Sequence, residues 1–194
     1  MMEPEVLVLD RAGFRSWLVD NHKSSRGCWV AVDRTKAQTG ILPYVDAVEE
    51  ALCFGWIDST VRKDPELGTV QRFSPRKGSR WTELNKARCR RLERLGLMTD
   101  AGRAVLPDMS FSVDDAILDE LRADPIVWEN YLTLPDLYIR VRLGNIQLYR
   151  DRLEAYRSRL NSFISDTRRG LIRGNWNDGG RLLERAPLRS HRSR

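Results

Sequence analysis

Residues 51–60 read ALCFGWIDST, with a glycine between two large aromatics and an aspartate two positions after the second aromatic. How these ten residues are read decides the fold. Upstream of them, Pro43 can occupy the first turn of a helix, Asp46 and Glu49 suit its positive end, and Val45, Val48 and Leu52 recur on one face. Gly55 fits the C-terminal cap of that helix, where a left-handed backbone favours a residue without Cβ. Beyond it, WIDSTVRKD and TVQRFSP are extended runs separated by PELG, the pattern of an antiparallel hairpin. Strict alternation places Trp56, Asp58 and Arg62 on one face of the first strand, with Ile57 and Val61 turned to the core. A strand that buried Trp56 would then have to hide or pair the Asp58 carboxylate.

Working outward, DRAGFRSWLVDNH carries Phe14, Trp17 and Leu18 at helical spacing, and GCWVAVDRT alternates as a short strand over residues 28–34. A third helix begins near Ser79 or Thr82, runs through Leu84, Leu92 and Leu95, and stops at Gly96. The expected fold is α+β: a small antiparallel sheet of about three strands packed by helices over residues 1–106. Residues 107–170 read as a helical C-terminal part of the same compact unit. Its cues are a short helix capped by Thr99 just before it, the Asp124-Pro125 start, the Pro135 stop, and a stripe of Leu153, Tyr156, Leu160, Phe163 and Ile164 closed by Gly170. Residues 171–194, rich in glycine, asparagine and arginine, read as a mobile basic tail.

Composition bounds the function. The 194 residues are 41% apolar and 31% charged, with a mean hydropathy of -0.49, which fits a soluble globular chain without membrane insertion. The start, MMEPEVLVLDRAGF, is acidic where a signal peptide is basic, and its VLVL run is too short for an export signal, so the expected location is cytoplasmic. Cys28, Cys53 and Cys89 form no CxxC pair and read as reduced structural thiols. Charge is uneven: residues 1–70 hold 8 Lys or Arg against 11 Asp or Glu, whereas residues 71–94 hold 9 against 2. That basic block points to an anionic small molecule or a polyanion as partner, or to a solvated basic helix face.

Chemical motifs are sparse. No GxxxxGK[ST] or GxGxxG loop is present, and His22 and His191 lack the neighbours of a zinc site or a nucleophilic triad. No cofactor or metal is therefore expected. Glu49 and Glu50 point in different directions on a helix and read as solvated surface. What remains is a convergence. Trp56 and Asp58 come from the first hairpin strand and Arg72 from the second, Arg76 enters a loop leading to a helix N-terminus, and Trp81, Asn85 and Arg88 share one side of that helix. These seven are the candidate ligand-binding residues, with Asp58 paired to Arg72 or Arg76 and orienting it for an anion. The same pair reads equally as a buried staple between hairpin and helix.

The stretches VDAVEEALCFGWIDS and RFSPRKGSRWTELNKARCRRLERLGLM resemble the YdeI/OmpD-associated family, also named for bacteriocin protection, whose pattern runs roughly EALCFGWIDG and RFxPRRxxSxWSxxNxxRxxxLxxxGxM. Together with CWVAV and the helical end, the likeness spans most of residues 10–170. The positions it carries are Phe54, Gly55, Trp56, Ile57, Asp58, Arg72, Phe73, Pro75, Arg76, Ser79, Trp81, Asn85 and Arg88. Ser59 and Thr82 depart from the family's glycine and serine, and QLYRDRLEAYRSRLNSFI departs from its C-terminal ARxxETRxRRI. The resemblance implies an α+β domain tied to resistance against cationic antimicrobial peptides and, indirectly, to the envelope and a porin, with no settled enzymatic activity. Two classes of function follow: a cytosolic binding or stress-protection module with an Arg/Trp-lined anion-binding surface, or an enzyme acting on a phosphorylated or carboxylated small molecule. A nucleic-acid-binding protein is a third.

Overall fold

The computed structural model describes residues 5–35, 40–78 and 80–183. The chain divides into two compact units, residues 1–81 with 88–110, and residues 82–87 with 111–194. The first unit runs β1 (Val6–Leu7), α1 (Arg11–Asn21), β2 (Cys28–Asp33), β3 (Leu42–Pro43), α2 (Tyr44–Cys53), β4 (Trp56–Asp64) and β5 (Gly68–Pro75). It ends with the later part of α3 (Glu83–Arg94) and with α4 (Asp100–Arg103).

The antiparallel trio expected from the sequence is present, with β5 between β2 and β4. Two short strands were not legible. β1 pairs with β2 and β3 pairs with β2, both parallel, so the sheet is mixed and has five strands in the order β1-β2-β5-β4 with β3 beside β2. A two-residue strand is too short to show alternation. The α+β class holds, with helices covering the face that carries Val30, Val32, Trp56 and Phe73, all at most 1% exposed.

The quoted stretch is the hub of this unit. Gly55 has φ +74°, and a Cβ there would stand 2.8 Å from the Ala101 carbonyl oxygen. From the other side, a Cβ on Gly102 would come within 2.3 Å of the Cys53 carbonyl oxygen. The two backbones pack at glycine distance, and Thr99 fastens the contact by donating both its hydroxyl (2.6 Å) and its N–H (3.1 Å) to Cys53. Thr99 also caps α4, as its sequence position predicts.

α2 departs from the amphipathic pattern. Ala47 through Cys53 are all buried, which leaves Glu49 and Glu50 at 0% and 2% exposure rather than on a solvated surface. They are tolerated because each is paired. Glu49 meets Arg11 at 3.1 Å and Arg91 at 2.8 Å, while Glu50 meets Arg11 and Arg15, both at 2.7 Å. Arg15 also reaches the Leu97 carbonyl at 2.8 Å. The network ties α1, α2 and α3 together.

The second unit contains α5 (Asp115–Arg122), α6 (Pro125–Thr133), α7 (Asp136–Gln147) and α8 (Leu153–Arg168). Asp124 caps α6 ahead of Pro125, accepting from the N–H groups of Ile126 and Val127. Leu160 and Phe163 of the α8 stripe are fully buried, but Leu153 is 69% exposed, so the stripe begins one turn later than its spacing suggests. Within residues 171–183, the first part of the expected tail, several side chains meet the helices. Trp176 meets Tyr138 edge-on at 5.7 Å, Arg173 pairs with Asp166, and Asp178 and Leu182 are each 6% exposed. An aromatic anchor outweighs the polar composition here. The rest of the expected tail, residues 184–194, lies outside the described residues.

Candidate functional site

β4 begins at Trp56, directly after Gly55, and the sheet register decides where each candidate points. Asp58 lies opposite Phe73, and Trp56 opposite Pro75. Directly opposed residues share a face, so Trp56 and Asp58 do lie on one side, as the alternation predicts, but it is the helix-covered side. Trp56 is therefore core and not a ligand wall. It is 1% exposed, packs edge-on against Trp17 at 5.8 Å, and donates its indole N–H to the His22 carbonyl at 3.3 Å.

Arg72 points away from Asp58. It pairs in register with Trp29, one position off Phe73, and so belongs to the opposite face. There it lines a separate cleft of about 490 Å³ with Trp17, Arg26 and Trp29, and donates to the Arg26 carbonyl at 3.4 Å. The register shift between Asp58 and Val61 moves the second half of β4 off the simple alternation. Arg62 consequently stacks over Trp29 at 4.8 Å instead of joining Trp56 and Asp58, and Val61 is 52% exposed instead of core.

Asp58 has a partner that the sequence did not suggest. Tyr44 donates its hydroxyl to the carboxylate at 2.7 Å, and the Arg34 guanidinium lies over the Tyr44 ring at 3.9 Å. Burial first and the Asp58 charge second push the Tyr44 hydroxyl up to about 12, so it keeps its proton at neutral pH. A tyrosine opening a helix directly after a proline was the available signal, hidden because Tyr44 comes to Asp58 only once α2 packs on the sheet.

Arg76 is the residue around which a site can be built. Its backbone N–H donates to the Gly55 carbonyl at 2.9 Å, which holds the end of β5 against the start of β4. Its guanidinium lies over the Trp81 ring at 3.6 Å. One terminal nitrogen, Nη2, donates to the Arg80 carbonyl at 3.2 Å, while Nε and Nη1 are buried and have no hydrogen-bond partner. Burial lowers the Arg76 pKa, and the nearby Cys89 and Asp58 act in the opposite direction without prevailing. Arg11 and Arg15 are buried in part as well, but their bonds to Glu50 outweigh the burial and raise them. Arg88 is 6% exposed, and its charge acts on Tyr44 and Cys89. Asn85 belongs to the second unit, where its backbone N–H is held by the Thr82 hydroxyl at 3.2 Å.

Of the seven expected residues, the structure thus gathers Asp58, Arg76, Trp81 and Arg88 in the first unit, joined by Tyr44 and Arg34. It assigns Trp56 to the core and Arg72 to another cleft. The three thiols are buried, and burial pushes Cys28 and Cys89 up to about 12 and Cys53 to about 11, consistent with inert structural cysteines. Among the described residues, no helix is long and apolar enough to cross a membrane.

A family model described as Domain of unknown function (DUF8412) matches residues 6–105. The chain belongs to that family. All seven sequence-predicted residues, together with Tyr44 and Arg34, fall within the DUF8412 span, whereas residues 111–183 of the second unit lie beyond it. No curated protein and no solved structure matches the chain.

Proposed function

We propose that this protein is a cytosolic binding module that takes an anionic group at Arg76, in the manner of a stress-protection protein. The observation that carries the reading is the pair of buried, unpartnered N–H groups on Arg76. A buried donor without an acceptor costs roughly 1–3 kcal/mol, more when charged, and in a folded protein it marks a place for a ligand, an ion or a water. Trp81 fixes the plane of the guanidinium, so its two free donors lie in one defined plane, each able to meet an oxygen of an anionic group such as a carboxylate or phosphate. The likeness of CFGWIDS and RFSPRKGSRW to the YdeI/OmpD-associated family supports the wider setting, resistance to cationic antimicrobial peptides or bacteriocins, with the porin link indirect.

The enzyme reading, with Asp58 as acid or base toward a phosphorylated or carboxylated small molecule, is the weaker one. Asp58 is occupied by Tyr44, and Tyr44 does not release its proton near neutral pH. A nucleic-acid reading rests only on basic residues beside the half-buried Trp81. The test is a thermal-shift screen of nucleotides, sugar phosphates, lipid head groups and short DNA. A ligand present at 100 times its Kd stabilises the folded state by about 2.7 kcal/mol. The shift given by the hit should vanish in Arg76→Ala and shrink in Trp81→Ala. A shift of undiminished size in both variants would remove the site from this surface.

A further inference from the structure

We propose that the second unit carries its own binding site for a small phosphate-bearing molecule, in a groove formed by α7, α8 and the turn at residues 173–176. The groove encloses about 350 Å³, within the roughly 300–1,000 Å³ of small-molecule sites. Arg142 from α7, Arg159 from α8 and Arg173 from the turn all line it, with the hydroxyls of Ser158 and Ser162. No carboxylate is among the described residues lining it.

The partners of these guanidiniums, Tyr149, Tyr138 and Asp166, lie outside the groove lining. Arg159 lies over the Tyr149 ring at 4.0 Å, and Arg142 stands 5.9 Å from the Tyr138 ring centroid. Arg173 donates Nε to Asp166 at 2.9 Å and its backbone N–H to the Tyr138 hydroxyl at 3.3 Å. Asp166 is shared with Arg169, which it meets at 2.7 Å, so one carboxylate serves two arginines and the groove keeps a positive excess. The Arg142 Nε is moreover buried without a hydrogen-bond partner. Three converging cations repel one another unless an anion sits among them. A phosphate, with several acceptor oxygens that arginine forks can grip in pairs, answers that arrangement better than a single carboxylate. The concave shape favours a small molecule over a duplex, which is met by a basic stripe along a face.

This site is independent of Arg76, and one experiment separates the two. Isothermal titration of the full chain with inorganic pyrophosphate and with ADP, in low-salt buffer, should show saturable binding that persists in Arg76→Ala. Arg142→Ala and the exposed Arg159→Ala should each weaken it roughly tenfold or more, the loss expected for one charge-assisted contact. Arg142→Lys should fall between wild type and Arg142→Ala, and Arg76→Ala should bind as wild type does. Circular dichroism melts of the variants separate loss of binding from loss of folding, with Arg159→Ala as the informative variant if Arg142→Ala does not fold. Absence of saturable binding by wild type, or binding lost in Arg76→Ala but retained in Arg142→Ala and Arg159→Ala, would overturn the proposal. So would binding confined to duplex DNA with a steep salt dependence.

Discussion

Two sets of arginines in the first unit use the same side chain to opposite ends. Arg11, Arg15 and Arg91 close on Glu49 and Glu50, whose side chains are 0% and 3% exposed, and every one of these contacts is 3.1 Å or shorter. Arg76 lies on Trp81 with two buried N–H groups unanswered. In the first set the bonds to carboxylates outweigh desolvation and hold Arg11 and Arg15 above their ordinary range; in the second, desolvation wins and lowers Arg76. The difference teaches that a cluster of guanidiniums is neither staple nor site until its acceptors are counted. Where the protein supplies them the cluster holds the fold, and where it does not, room is left for a ligand.

The contrast is tested most severely by Arg11→Ala. This residue serves Asp46, Glu49 and Glu50 together, so its loss takes one arginine from each of two buried carboxylates. Breaking a buried pair from one side costs about 3–5 kcal/mol; with Arg15 and Arg91 remaining, the lower end is expected. Urea unfolding measures it, and a loss under about 1 kcal/mol would put the network in the class of surface pairs and dissolve the comparison.

A smaller effect is expected at Tyr44, which stands between the two sets as a neutral donor to a charged acceptor. Tyr44→Phe should cost about 1–2 kcal/mol at pH 7 by deleting one bond to a carboxylate. The same substitution has a signature in alkali. Because the folded hydroxyl sits near 12, above its ordinary 10, stability linked to it is intact below pH 10 and falls as pH rises toward 12. The raised thiols of Cys28, Cys53 and Cys89 add to that fall from pH 9 upward. In Tyr44→Phe the stability–pH curve should be shallower between pH 10 and 12. An identical slope would mean that Asp58 and Tyr44 are not coupled.

The smallest stability change belongs to Arg76→Ala. Removing a guanidinium whose burial is uncompensated should alter the unliganded melting midpoint little, within about 0.5 kcal/mol in either direction, while removing the ligand-dependent shift. A loss as large as that of Arg11→Ala would show that Arg76 is a staple after all and erase the distinction.

Much of the first unit was legible because its signals are local. Gly55 announces a left-handed cap, the PELG turn announces the hairpin, and Thr99 and Asp124 announce helix starts, each through the conformational preference of one or two residues. β1 and β3 were not legible, since two residues carry no period. Glu49 and Glu50 misled because their charges argue for solvent, and only the arrival of Arg11, Arg15 and Arg91 from distant positions lets them be buried. In residues 171–183 the contact of Trp176 with Tyr138 was not legible, since composition carries no sign of which distant ring a tryptophan meets.

The sequence by itself determined which segments are helix and which are strand around ALCFGWIDST, and it marked Arg76 and Trp81 as worth attention. Only the tertiary structure decided what each candidate does. Alternation along a strand says which residues share a face but not which face is covered, and the register Asp58↔Phe73 with Trp29↔Arg72 put Asp58 under the helices and Arg72 behind the sheet. A side chain's neighbours along the chain fix its conformation, while its hydrogen-bond acceptors come from anywhere in the fold. Whether an arginine is satisfied is therefore settled by packing: Glu50 reaches Arg15 across 35 positions of sequence, while Nε and Nη1 of Arg76 receive no acceptor.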